Sequence, residues 1–108
     1  MDQRVLQVAD QLLLIERELR ALKLWSDTAP TAEQLDSGVP FGVGVIEFDQ
    51  WLQWVFVDKL KALIEADLPL PKVSGIAPMA EECYKHDLGR FAVLIKLLAE
   101  TDQHLTQD

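Results

Sequence analysis

Residues 46–66 read IEFDQWLQWVFVDKLKALIEA, and their apolar positions recur at helical rather than strand spacing. Phe48, Trp51, Leu52, Val55, Phe56, Leu60 and Leu63 fall on one face when each residue turns by about 100°, whereas a strand would alternate with period two. The run is long enough for five turns and ends at Asp67-Leu68-Pro69-Leu70-Pro71, because proline cannot extend the backbone ladder and disfavours helix in its predecessor. A helix buried along such a face needs partners with matching stripes, and the rest of the chain supplies them. Val5, Val8, Leu12, Ile15, Leu19 and Leu22 form a stripe in alternating steps of three and four, with Asp2 as a plausible cap. Leu6, Leu13 and Leu24 add a second line on the opposite flank, which fits a compact bundle better than a coiled coil.

Between these two helices lies broken ground. Thr31 with Gln34 three residues on, after Pro30, matches a capping box over one short helical turn. Gly38, Pro40, Gly42 and Gly44 then rule out any long helix. Beyond Gly75, Pro78 suits the first position of a third helix ending near His86. A fourth helix is expected over Leu88 to Leu105, with Phe91, Leu94, Ile95, Leu98 and Leu105 on one face. The expected architecture is all-α: an antiparallel four-helix bundle, residues 1–108 forming one domain, with a long irregular connection between helices one and two.

The 108 residues carry a net charge of −8 with 49% hydrophobic residues, a globular rather than a disordered composition. Residues 26–50 hold Asp27, Glu33, Asp36, Glu47 and Asp49 without a single lysine or arginine. A phosphate backbone meets repulsion there, so direct nucleic-acid binding is not expected, while a basic protein partner would be attracted. The apolar runs are far shorter than the ~20 residues that cross a bilayer. Residues 1–10 have no export-signal pattern, and the lone Cys83 cannot pair internally. A cytoplasmic protein that makes no membrane contact is expected.

Catalytic and metal-binding patterns are weak throughout. Cys83 and His86, three apart on the expected third helix with Glu82 alongside, are the sole candidate for a thiolate pair or a metal fragment, and nothing supplies the remaining ligands or an oxyanion site. Glu81 and Glu82 are sequence neighbours and point apart on a helix. Gly38, Gly42 and Gly44 fit neither a dinucleotide fingerprint nor a phosphate loop. No catalytic residue, metal or cofactor is assigned. Trp54 is more informative, because it falls on the narrow polar face among Glu47, Gln50, Asp58, Lys61 and Glu65. Either a loop folds over it, or it is an exposed aromatic anchor of the kind that dominates protein interfaces. Trp51 falls at the edge of the apolar face, and Gln53 lies off the polar face that holds Trp54, with a loop backbone as its natural partner. Pro40, Phe41, Trp51, Gln53 and Trp54 are therefore the candidate interaction residues. Asp102 and Arg4 fall on the apolar sides of the last and first helices, and their ends meet in an antiparallel bundle, so an Arg4–Asp102 ion pair is expected.

The landmarks Leu24-Trp25, Pro30, Ser37, Pro40-Phe41, Trp51-Leu52-Gln53-Trp54-Val55, Leu68 to Pro71 and Ala77-Pro78 resemble, in order and spacing, the YqcC-like proteins, a small bacterial family of helical bundles without an assigned activity. The Trp-Leu-Gln-Trp run after Pro-Phe is the most specific of them. The family pattern tends to carry an acidic residue and a threonine where this chain has Gly44 and Val45, so a cap or contact built on those polar groups is not expected here. Genes of this family often neighbour a tRNA pseudouridine synthase, and the resemblance therefore implies a partner of that kind but no catalytic residues. Three functions compete: an interaction or accessory module with an acidic rim, a small-molecule-binding domain with a Trp-lined pocket, and a minor enzyme built on Cys83 and His86.

Overall fold

A computed structural model describes residues 3–36, 46–72 and 75–106. Among the described residues the secondary structure is entirely helical, and four long helices pack as a bundle. These are α1 (Gln3–Ala21), α3 (residues 48–65), α4 (Ile76–Cys83) and α5 (Leu88–Thr106), with the single turn α2 (Ala32–Leu35) between the first two. The Asp2 cap, Pro40, Phe41 and the Gly44-Val45 departure lie outside the described residues.

The core follows the expected stripes. Val8, Leu12, Ile15 and Leu19 of α1 meet Phe91, Leu94, Leu98 and Leu105 of α5, all buried. The antiparallel register shows in the polar contacts along the seam. Arg4 reaches His104 and Leu105, Gln11 Nε2 donates to Glu100 at 3.1 Å, and Arg90 Nη2 donates to the Leu22 carbonyl at 3.1 Å. Buried Thr101 satisfies its hydroxyl within α5 by donating to the Leu97 carbonyl at 2.8 Å.

Both α1 and α3 end in the same device. Lys23 (φ 63°) and Asp67 (φ 56°) adopt the left-handed conformation. The amides of Leu24 and Leu68 then fold back onto the carbonyls of Leu19 and Leu63 at 2.8 and 2.9 Å. Helix α3 therefore stops at Glu65, before Pro69 and Pro71, because its last carbonyls are already satisfied by this cap. The Thr31 capping box is present as expected, with reciprocal bonds of 2.9 and 3.1 Å to Gln34.

Three expectations need correction. First, α3 is not uniformly α-helical: Phe48–Trp51 and Asp58–Glu65 flank a π-helical stretch, Leu52–Val57, in one continuous rod. A π turn bonds residue i to i+5 and accommodates an extra residue per turn, which rotates everything beyond it. Val57 thereby enters the core, whereas Val55, expected inside, is only half-buried. Second, α4 begins at Ile76, so Pro78 is its third residue rather than its first. The two earlier amides are satisfied from another helix: Asp102 Oδ1 and Oδ2 accept from the N–H groups of Ile76 and Ala77 at 3.2 and 2.9 Å. Pro78 has no N–H to satisfy, and the Met79 amide bonds the Gly75 carbonyl at 3.2 Å.

Third, Asp102 and Arg4 do not pair with each other. Arg4 donates from Nε to the His104 carbonyl at 2.7 Å and from Nη2 to the Leu105 carbonyl at 2.9 Å. It caps the carbonyl end of α5, where the helix dipole favours a cation. The two helix ends do meet, and each of these side chains satisfies backbone groups at a helix end.

Candidate interaction site

The site begins where α1 ends. The left-handed turn at Lys23 throws the chain back across α3, so that Trp25, Ser26 and Asp27 lie over Trp54. This loop is fastened by Gln53, which is buried at 6% exposure within the π-helical stretch. The Ser26 amide donates to Gln53 Oε1 at 2.8 Å, and Gln53 Nε2 donates to the Ser26 carbonyl at 2.7 Å. The side-chain amide thus pairs with a backbone peptide as a neighbouring strand would.

The fastening leaves a cavity of about 270 Å³ that opens to solvent. Trp25, Trp54, Gln53 and Val57 supply its apolar and amide walls, and Asp27, Asp58 and Lys61 bring charge to its edge. Trp54 is half-buried, and its indole Nε1 is fully enclosed without a hydrogen-bond partner among the described residues. An unpaired buried donor costs about 1–3 kcal/mol. Trp25 sits under two cations, the Arg20 guanidinium 5.0 Å and Lys61 Nζ 6.0 Å from its ring centre. Glu16 holds both, at 3.1 Å from Arg20 and 3.3 Å from Lys61. Partial burial alone would raise the Glu16 pKa, but these two hydrogen bonds outweigh it and hold the carboxyl below its usual range.

Trp51 belongs to a different neighbourhood. It stacks on Phe48 (5.9 Å, 18°) and on Phe56 (5.8 Å, 21°), the latter a five-residue spacing that the π turn makes possible. Phe48 in turn meets Tyr84 edge-on at 5.8 Å, and Tyr84 lies flat on Phe91 at 3.8 Å. Burial pushes the Tyr84 phenol upward, with the Asp49 carboxylate adding to it. Of the five candidate interaction residues, the structure thus brings Gln53 and Trp54 together, places Trp51 in an aromatic cluster, and leaves Pro40 and Phe41 outside the described residues. Sequence reasoning missed Trp25, Asp27, Asp58 and Lys61 as neighbours of Trp54. The signal for Trp25 was its position just past the end of an amphipathic helix, where a reversing chain lands on the adjacent helix.

Cys83 and His86 do not share a helical face, because α4 ends at Cys83 and His86 lies in the following turn. Partial burial pushes the Cys83 thiol up, and Glu82 and Glu47 push it further, the opposite of nucleophile activation. Among the described residues no group of three or more His, Cys, Asp or Glu converges as a metal site, and no helix is long and apolar enough to cross a membrane.

Residues 7–104 match the DUF446 family, described as tRNA pseudouridine synthase C. The YqcC protein of Escherichia coli is 30% identical over 98 residues, covering 91% of this chain and 90% of that one. The solution NMR structure of Escherichia coli YqcC superposes with a TM-score of 0.85 at 28% identity, over 99% of this chain and 92% of that one. The chain belongs to the YqcC-like family. An uncharacterised Haemophilus influenzae protein is 34% identical over 79 residues, 73% of this chain and 74% of that protein. A Pectobacterium carotovorum protein named tRNA pseudouridine synthase C is 38% identical over 66 residues, 61% of this chain but only 18% of that protein. In this YqcC-like chain, the Trp51-Leu52-Gln53-Trp54-Val55 run coincides with the π turn and with the wall of the cavity.

Proposed function

We propose that this YqcC-like chain is a cytoplasmic protein-interaction module that docks onto a tRNA pseudouridine synthase, using the surface around Trp54 with Pro40 and Phe41 as further anchors. One observation carries the reading: a polypeptide named for that synthase contains a stretch, 18% of its length, that is 38% identical to this chain. A module found within the same polypeptide as an enzyme is at high effective concentration beside it, and a separate module that serves the same enzyme needs a docking surface instead. The half-buried Trp54, the open cavity beside it and the acidic segment 26–50 provide features such a surface uses. The test is co-elution of the purified chain with the synthase of the same organism in size-exclusion chromatography. A complex is expected, weakened at least ten-fold by Trp54→Ala while the thermal midpoint falls by only a few degrees. Absence of any complex at micromolar concentrations refutes the reading.

A second reading is favoured by the cavity itself. At about 270 Å³ with two indole walls it lies just below the usual size of a small-ligand pocket. A small molecule that raises the melting temperature and shifts the Trp54 indole signal, and loses both effects in Trp54→Phe, would establish it.

A further inference from the structure

We propose that the cavity between Trp25 and Trp54 receives an arginine side chain from the protein partner. The proposal rests on the docking reading above and names the chemistry of its contact. At roughly 30 Å³ of liquid volume per water, the 270 Å³ cavity has room for a side chain of several heavy atoms. Its wall is the Trp54 indole, and its edge carries two exposed carboxylates, Asp27 and Asp58. Lys61 is the one cation among the described lining residues, and it is already committed to Glu16 at 3.3 Å and to the Trp25 ring. Arg20, the other nearby cation, is committed to the same two groups. The two aspartates form no ion pair among the described residues, so an incoming cation meets uncompensated charge and an incoming anion meets repulsion.

Arginine fits better than lysine for a geometric reason. A guanidinium is planar, stacks on an indole face while its edge donates to carboxylates, and sheds water more readily than an ammonium. The cavity therefore takes an arginine side chain stacked against the indole, with its guanidinium edge on the two carboxylates.

The test titrates the full chain with acetyl-Gly-Arg-Gly-amide and with its citrulline counterpart, which has nearly the same shape but no charge. Indole N–H signals in two-dimensional NMR, assigned with Trp→Phe variants, report the contact. The expected result is a saturable shift of the Trp54 signal, at least ten-fold weaker binding of the citrulline peptide, and a similar loss in the Asp27→Asn/Asp58→Asn double variant. Both positions are exposed, so the double variant should melt as wild type does. Equal affinity for the two peptides, or no saturable shift of Trp54, overturns the proposal. Synthase complex formation is measured separately. An undiminished complex with the double variant overturns the arginine contact while the docking reading survives. Arginine-specific binding without any synthase complex supports the contact and removes the docking reading.

Discussion

Replacing Gln53 by alanine tests whether the loop over Trp54 is held by one side chain. The wild-type amide makes two hydrogen bonds to Ser26, of 2.8 and 2.7 Å. Each contributes about 0.5–1.5 kcal/mol net, so the pair contributes about 2 kcal/mol. Truncation also removes one buried methylene, about 0.8 kcal/mol. Ser26 is half-buried beside an open cavity, so water can reach its freed N–H and C=O groups, and the full penalty of two orphaned buried groups does not apply. The expected loss is about 2–3 kcal/mol, a fall in Tm of roughly 10 °C for a domain of this size. Thermal unfolding by circular dichroism measures it, and native indole emission should shift to the red as the loop lifts from Trp54. A loss under about 0.5 kcal/mol with unchanged emission would refute the reasoning, since the loop would then be held by something else. Gln53→Glu refines the test, because it keeps an acceptor for the Ser26 amide but loses the donor to the Ser26 carbonyl. Burial and the facing carbonyl raise the folded-state pKa of such a carboxyl. Its contribution to stability is then full below the unfolded value of about 4.3 and is lost as pH rises through the folded value. The deficit of Gln53→Glu relative to wild type should therefore shrink on acidification, and a deficit independent of pH would contradict this geometry.

Asp102→Ala strands the N–H groups of Ile76 and Ala77, which lie at 0% and 4% exposed residues. A loss of about 2–3 kcal/mol is expected in chemical denaturation, with Asp102→Asn losing less because one acceptor remains. Burial is the largest influence on the Asp102 carboxyl and raises it, against the two amide bonds that lower it, so its contribution is greatest at low pH and declines as pH rises through the folded value. Lys23→Gly relieves a left-handed residue at the end of α1 and should stabilise by about 0.5–1 kcal/mol, a gain in Tm of a few degrees; a decrease would show that the Lys23 side chain contributes to the fold. The isolated chain, at net charge −8, should show no submicromolar complex with tRNA in a gel-shift assay at physiological salt, even if its partner modifies tRNA.

The helix inventory was legible in the sequence because stripes at helical spacing, prolines and the Thr31–Gln34 box are local signals. Each is read within a few residues and depends on no distant partner. The bundle followed, since four apolar stripes have few ways to leave water together. The family landmarks also sat in the chain for the same reason, as short runs of particular residues. The site was less legible. Trp54 stood out because its position conflicted with the polar face around it, yet its neighbours Trp25 and Asp27 lie far before it in the chain, ahead of α2, and only the chain reversal at Lys23 brings them together.

Where the tertiary structure decided, the cause was in each case a departure from local regularity. A wheel at constant pitch placed Val55 within the core and left Val57 out of it; the π turn changes the pitch over Leu52–Val57, and Val57 is buried while Val55 is half-buried. Arg4 and Asp102 were correctly placed near the meeting ends of the first and last helices, and opposite charges made a pair the natural expectation. The folded chain instead contains unpaired backbone groups at two helix ends, the carbonyls closing α5 and the amides opening α4. Burying those groups unsatisfied costs more than separating two charges near the surface, where an ion pair contributes only about 0–1 kcal/mol. The sequence by itself determined which segments are helices and which faces they bury. Which backbone orphans lie within reach of which side chain depends on how the helices pack, and that settled the roles of Gln53, Asp102 and Arg4.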